Sequence, residues 1–183
     1  MVACDTILSN PQSLIIVKNN LTKYHLLQDN FLLITTGVFS DVRVLIRFIK
    51  AEMQLHEMRF GKEYSHHELV HKIRMILAEH FTWEPMQIIA TYYNEKDGAQ
   101  IKVLDGAKDI QSVNYVGQGM LGTEVCTSCI QPIYRPNLTE DQAYLIMLES
   151  MKILMTRVPI NFPVIKVVVV NKLGVQERPD ILG

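Results

Sequence analysis

Leu32–Ser65 reads LLITTGVFSDVRVLIRFIKAEMQLHEMRFGKEYS, and its pattern decides the fold. An apolar run ends at Thr36. Gly37 then permits a turn, and an uninterrupted helical pattern follows from about Ser40 to Met58. Ser40 or Asp41 is expected to cap the first amides of that helix. Arg43, Arg47, Lys50, Gln54 and Glu57 recur at spacings of three and four and form one narrow hydrophilic stripe. Val42, Leu45, Ile46, Ile49 and Met53 cover one flank. Val44, Phe48, Ala51, Leu55 and Met58 cover the other. A helix at the surface of a monomer needs one apolar face. Two apolar flanks predict that the chain's own sheet packs on one and that a second helix or another protein packs on the other.

Working outward, the chain reads as strands, two helices, strands, a helix and closing strands. Ser13–Val17 and Thr22–Leu27 are expected as strands joined at Asn19-Asn20, with Phe31–Thr36 next. Gly61 breaks the long helix, and Ser65 is placed to cap a second one over His66–His80. Met86–Tyr93 and Gln100–Leu104 are predicted strands linked by a polar turn ending in Asp97-Gly98. Ile110–Val116 is a weaker strand pattern. A short helical piece is expected over Leu121–Ile130, before Pro132 and Pro136 force a loop. Thr139 and Gln142 make a capping box for a helix reaching about Arg157. Val164–Val170 and Val175–Glu177 are predicted to close as a hairpin. Helices in two groups around many strands point to helix layers on antiparallel sheets. With 183 residues and no linker-like stretch, residues 1–183 are expected to form one domain.

Composition narrows the function classes. Apolar residues at 48% and charged residues at 20% describe a globular chain. A net charge of -1 supplies no electrostatic footprint for nucleic acid or an anionic membrane, so neither partner is expected. An odd count of three cysteines argues against a secreted disulfide framework. No basic-then-apolar leader opens the sequence, so no signal peptide is expected. The β-branched run Val164–Val170 is interrupted by Lys166 and is too short to span a bilayer.

Three motifs carry possible chemistry. His67-Glu68-Leu69-Val70-His71 matches H-E-x-x-H, in which two histidines one helical turn apart chelate zinc and the glutamate activates water. A zinc metallopeptidase is therefore the alternative reading, with His80, Glu79 and Glu84 as further ligands to consider. Against it, both histidines point about 140° away from the apolar face of Leu69, Val70, Ile73, Ile76 and Leu77. Leu77 and Arg74 also stand where one zinc-peptidase subgroup needs His and Gly. The reading preferred here is a solvated helix face with no metal and no cofactor. Gly117-Gln118-Gly119-Met120-Leu121-Gly122 matches G-x-G-x-x-G, but the βαβ unit that a dinucleotide site requires is not predicted around it. A tight turn into a short helix is the simpler account. Cys126-Thr127-Ser128-Cys129 is a lone C-x-x-C that Cys4 cannot complete to four thiolates, and packed cysteines are expected. His25, His56, His66 and His80 show no serine or cysteine relay.

Taken in order, these residues resemble a known family. The strand, glycine turn, long helix and R-x-G turn of Leu32–Ser65 resemble the corresponding part of proteasome β subunits, and the resemblance runs through essentially the whole chain. Val2-Ala3-Cys4-Asp5 is similar to that family's V-A-[AS]-D strand. Lys23 sits where it places a lysine. Gly117-Gln118-Gly119 resembles its G-x-G turn, and Thr139–Arg157 resembles its later long helix. Asn161-Phe162-Pro163, Val164–Val170 and Lys172-Leu173-Gly174 are most similar to a non-catalytic branch.

The resemblance implies an α+β fold, a four-layer α/β/β/α sandwich of the N-terminal-nucleophile hydrolase type, with the family's first strand missing from this sequence. Active members use an N-terminal threonine whose own amine acts as base, supported by an aspartate and a lysine. Asp5 and Lys23 match those two positions and are expected to be vestigial. The threonine is expected well over a dozen residues before Asp5, where this sequence has four residues; a start upstream of Met1 is the other way to account for this. Active members also carry a serine at Met120, and an aspartate, a serine and two glycines after the arginine matching Arg157. Here Val158, Asn161, Phe162 and Pro163 stand there. The resemblance thus implies no catalytic residue of its own and a structural subunit in cytoplasm and nucleus. Its implied partners are other β subunits, laterally and across the β–β equator, and α-ring subunits. It further implies that the first two helices lie towards the opposing β ring.

Overall fold

The computed structural model describes residues 1–10, 13, 15–81, 86–105, 110–119 and 122–183, with side chains described except at 105 and 125–127. In chain order the described elements are β1 (Val2–Asp5), β2 (Leu8–Ser9), β3 (Ile16–Lys18), β4 (Tyr24–Gln28), β5 (Phe31–Thr36), α1 (Phe39–Phe60), α2 (His66–His80), β6 (Gln87–Asn94), β7 (Gly98–Asp105), β8 (Gln111–Ser112), α3 (Gly122–Val125), a π-helical turn (Cys126–Ile130), α4 (Glu140–Arg157), β9 (Val164–Asn171) and β10 (Gly174–Leu182). They divide into two compact units. One comprises Met1–Lys23, Tyr115–Val169 and Gln176–Gly183. The other comprises Tyr24–Asn114 and Val170–Val175. Among the described residues no helix is long and apolar enough to cross a membrane.

The second unit is an antiparallel sheet in the order β4-β5-β6-β7-β8, with α1 and α2 packed on it. β5 is a continuous apolar run because both its faces are buried: Phe31, Leu32 and Leu33 are each 0% exposed. Phe31 and Leu33 join Ile88, Ala90, Tyr92 and Leu104 on one face. Against them lie Val42, Leu45, Ile46 and Ile49 of α1 and Leu69, Val70, Ile73, Ile76 and Leu77 of α2. Each such side chain contributes about 1.5–3 kcal/mol on full burial. Glu52 and Lys72 bridge the two helices at 2.9 Å.

The inner flank of α1 packs as expected, and the outer flank is exposed. Val42, Leu45, Ile46 and Ile49 are buried, whereas Val44, Phe48, Ala51, Leu55 and Met58 are exposed. The capping expectation does not hold. The helix opens one residue earlier, at Phe39, and Val38 precedes it without a side-chain cap. The Ser40 hydroxyl donates instead to Asp41 Oδ1, while Val38 O takes the amides of Asp41 and Val42. Gly37, at φ 141°, makes the sharp entry. Gly61, at φ 65°, closes α1 by donating its amide to Glu57 O. α2 opens with a complete capping box. Ser65 Oγ accepts from the Glu68 amide, and Glu68 Oε2 accepts from Ser65 N at 2.9 Å and Ser65 Oγ at 2.7 Å.

The first unit carries the sheet β1-β9-β10, with β1 at one edge, and the β2-β3 pair. Its core joins Ile7, Val158, Ile160, Phe162, Ile165, Val167 and Ile181, covered by Tyr144, Leu148, Met151 and Met155 of α4. The Thr139–Gln142 capping box forms as expected. Pro179 is tolerated in β10 because that strand is at the other edge of the sheet.

Four strand readings need correction. Ile16–Lys18 pairs with Leu8–Ser9, not with the strand after Asn19-Asn20. The cause is Thr6, whose hydroxyl donates to Asn19 O and whose carbonyl accepts the Leu21 amide, drawing 19–21 back along the chain. Position 14 lies outside the described residues. Within Ile110–Val116 only Gln111–Ser112 pairs. β7 begins at Gly98, and β10 extends to Leu182. The helical piece after the glycines is described from Gly122, and Leu121 lies outside the described residues.

Two predictions follow from the helix ends. A Cβ at Gly37 would meet Met86 Cγ at 3.0 Å in a strained backbone, whereas one at Gly61 meets nothing within 4 Å. Gly37→Ala is therefore expected to cost about 2–3 kcal/mol in urea unfolding and Gly61→Ala about 1 kcal/mol; equal losses would refute this account. Ser65→Ala is expected to cost about 1 kcal/mol at pH 7. The Ser65 hydrogen bonds hold the Glu68 carboxyl below its usual range. A depressed folded-state pKa adds stability above the unfolded-state value and loses it as pH falls through the folded-state value. The gap between wild type and Ser65→Ala should therefore narrow in acid, measured as the thermal midpoint against pH.

Candidate functional site

Asp5 and Lys23 meet in the first unit. Lys23 Nζ donates to Asp5 Oδ1 at 2.8 Å and Oδ2 at 2.9 Å, a two-pronged pair with each side chain about a quarter exposed. Asp5 Oδ1 also accepts the Ile7 amide at 2.9 Å. Asp5 is the last residue of β1, and its partner in the sheet is Ile165 of β9. Next to it, buried Thr6 places its hydroxyl 3.1 Å from Asn19 O and 3.2 Å from Val164 O. This polar network joins three separate stretches of the chain at one end of β1.

The residues after α4 pack as core. Val158 follows α4, is 4% exposed, and packs with Ile7, Ile160, Phe162 and Ile165. Phe162 is buried in the same cluster, and Pro163 has no amide to donate. Met120 lies outside the described residues. Cys4 is not a substitute nucleophile. Burial first, and then the Asp5 charge, push its thiol up to about 12, against the opposing pull of Lys23. A thiol held there stays protonated at neutral pH.

Among the described residues the H-E-x-x-H motif gathers no third ligand from His, Cys, Asp or Glu. His67 and His71 are exposed on α2 with ring centroids 4.7 Å apart. Glu68, which the motif would use to activate water, is held by its own helix cap. His80 lies against Glu79 at 3.8 Å and packs at a tilt on the Phe48 ring. Glu84 lies outside the described residues. Among the described residues no group of three or more His, Cys, Asp or Glu is placed to hold a metal ion. Sequence spacing reports that two histidines share a face. It does not report that the intervening glutamate caps the helix.

The glycine motif makes a turn. Gly119 has φ 88° and accepts the Gly122 amide at 3.2 Å. A Cβ on Gly122 would sit 3.1 Å from the carbonyl carbon of Gly117. A four-residue α3, a π-helical turn and then α4 follow, with no strand to complete a nucleotide-binding unit. Cys129 is a free thiol; the Cys126 side chain lies outside the described residues. The other histidines pack against rings: His56 against Phe60 and Tyr64, and His66 against Phe31 and Tyr92. One contact escaped the sequence reading: His25 Nε2 lies 3.4 Å from Thr35 Oγ1 across β4 and β5. Burial and nearby Lys50 keep His25 below its usual pKa. Thr35 is 3% exposed, so no substrate reaches that hydroxyl. In the second unit an open groove of about 790 Å³ runs past Gln28, Asn30, Glu63, His66, Asn94 and Lys172. Its one short hydroxyl–carboxylate contact among the described residues, Ser65 Oγ to Glu68 Oε2, belongs to the α2 cap.

Comparison with known proteins accords with this geometry. The family model described as "Proteasome subunit" matches residues 1–170. The chain is 24% identical over 168 residues to "Proteasome subunit beta 1" of Desulfurococcus amylolyticus, covering 91% of this chain and 82% of that protein. It is 19% identical over 156 residues to "Proteasome subunit beta 2" of Pyrobaculum aerophilum, covering 85% and 76%. Helices packed on antiparallel sheets agree with the N-terminal-nucleophile hydrolase sandwich of that family. With the match running from β1 into β9, the chain belongs to the proteasome β-subunit family.

Proposed function

We propose that this chain is a non-catalytic structural subunit of the β ring of the 20S proteasome core, a type-2 β subunit at the fourth ring position. It is read as one domain over 1–183. It helps to wall the chamber in which neighbouring subunits cut peptide bonds during ubiquitin-dependent degradation, in cytoplasm and nucleus. Its contacts are with other β subunits and with α-ring subunits.

The observation that carries the reading is the core built where active members keep their polar groups. Orienting an amine or hydroxyl needs a donor or acceptor. Val158 has neither, and it is sealed among Ile7, Ile160 and Phe162. The Asp5–Lys23 pair is held by two hydrogen bonds of its own and by the Ile7 amide. It acts as a clasp between β1 and the segment before β4. The exposed apolar flank of α1 supports the assembly role, since a stripe this long on a lone molecule invites association.

Two experiments test this. Lys23→Ala, introduced into an assembled particle, is expected to leave fluorogenic peptide hydrolysis unchanged and to lower the subunit's own stability by about 1 kcal/mol. Loss of one class of peptidase activity with assembly intact would make Lys23 catalytic and end the structural reading. Phe48→Asp is expected to keep the subunit out of the particle, seen as free chain on native gels. Particles at normal yield from that variant would count against the assembly role.

A further inference from the structure

We infer that the outer face of α2 carries a copper site, with His67 and His71 as imidazole ligands and Met75 as a thioether ligand. The inference does not rest on the subunit reading. The three residues stand four apart, so on a helix they fall within an arc of about 80°. All three are exposed. The two rings already lie edge to face with centroids 4.7 Å apart. Nitrogen–metal bonds of about 2.0–2.1 Å put each ring centre roughly 3.2 Å from a shared ion. The observed separation then corresponds to two ligands at about a right angle, the cis arrangement of a tetragonal copper(II) site. Because both rings are exposed, turning their nitrogens to one point displaces no core side chain. Among the described residues neither imidazole has a hydrogen bond or carboxylate to give up.

Met75 gives the site its character. Leu69, Val70, Ile73, Ile76 and Leu77 turn into the core, and Met75 is the one large apolar side chain of α2 outside that face, at 53% exposure. A thioether one turn beyond His71 comes within reach of an ion held there, because helix side chains lean towards the N-terminus. Imidazole suits copper and zinc alike, whereas thioether sulfur selects copper(I). Hard ions such as calcium and magnesium need oxygen ligands, and the carboxylate of Glu68 is engaged by Ser65 in the helix cap. That engagement also separates this site from the hydrolytic centre that the motif suggested, since no free carboxylate is left to activate water. The Glu68 charge still matters, because the first turn of a helix disfavours a cation and a carboxylate there offsets it. The neighbouring cations are engaged: Lys72 with Glu52 at 2.9 Å, and Arg74 with a partner of its own. His67 also lines the open groove beside Glu63 and Asn94, so that end of the site is open to a further small ligand.

The test uses the full chain in a non-coordinating buffer. Copper(II) sulfate is followed by calorimetry and electron paramagnetic resonance. Copper(I) is followed by competition with a chromophoric chelator in a Cys129→Ser background, which removes a competing thiol. Copper(II) is expected to bind with the spectrum of nitrogen ligation. Loss of a metal ligand's outer partner alone costs about 10–100-fold in affinity, so His67→Ala and His71→Ala are each expected to weaken copper(II) by at least about tenfold. Met75→Leu should weaken copper(I) by about tenfold and leave copper(II) within about threefold. His80→Ala, on the same helix, should change neither. Circular dichroism checks that each variant is folded, which these exposed positions permit. No binding, or binding that His67→Ala and His71→Ala leave unchanged (an adventitious ion only), would overturn the inference. So would a copper(I) affinity unmoved by Met75→Leu, or a site that holds zinc(II) more tightly than copper(II).

Discussion

Helix α1 is apolar on two flanks, and much of the second unit is arranged around the inner one. Its inner face is met inside the second unit, where Leu45 and Ile49 close onto β5 and β6 beside α2. That contact fixes the sheet, because Phe31 and Leu33 reach the helices only if β5 holds its register with β6. A slip of one residue would turn both outward. The strained entry at Gly37 and the left-handed exit at Gly61 set where the helix starts and stops. Among the described residues the outer face is left exposed, with His80 of α2 against Phe48. A chain that spends five apolar positions on solvent over four turns of helix is complete only in company.

The legible and illegible parts of the sequence differ in a physical way. Period was legible. The two flanks of α1, the buried face of α2 and the apolar run of β5 follow from repeat distances of 3.6 or 2, and a repeat survives whatever surrounds it. Caps with paired signals were legible too: Ser65 with Glu68, and Thr139 with Gln142. What could not be read depended on one long-range bond. Nothing local says that Thr6 will take hold of Asn19 and Leu21, and so turn Ile16–Lys18 towards Leu8–Ser9. Ser40 looks like a cap until its hydroxyl is seen to face Asp41.

The candidate site divides along the same line. Asp5 and Lys23 are eighteen residues apart, and nothing in their spacing predicts a contact. They were singled out only because the order of surrounding motifs resembled a family, and the structure places them within 3 Å. The H-E-x-x-H spacing was the sharper local signal, yet among the described residues it gathers no third ligand from His, Cys, Asp or Glu. A motif states which groups are near one another and is silent about what else engages them. Glu68 is bound at the helix end, so proximity to two histidines gives it no chemistry.

The persistence of an ion pair beside an apolar core needs a cause if the site no longer cuts peptides. An exposed pair adds little, and drift would remove it. Asp5 is not free to drift, because the oxygen that receives Lys23 also receives the Ile7 amide where β1 ends. Replacing Asp5 strands that amide, and replacing Lys23 leaves a half-buried carboxylate with one partner fewer. Each loss costs more than the pair contributes. Val158 faces no such constraint. Once no amine has to be oriented there, an apolar side chain packs better among Ile7, Ile160 and Phe162 than a carboxylate could. The same physics thus holds the Asp5–Lys23 pair in place and favours an apolar side chain at Val158.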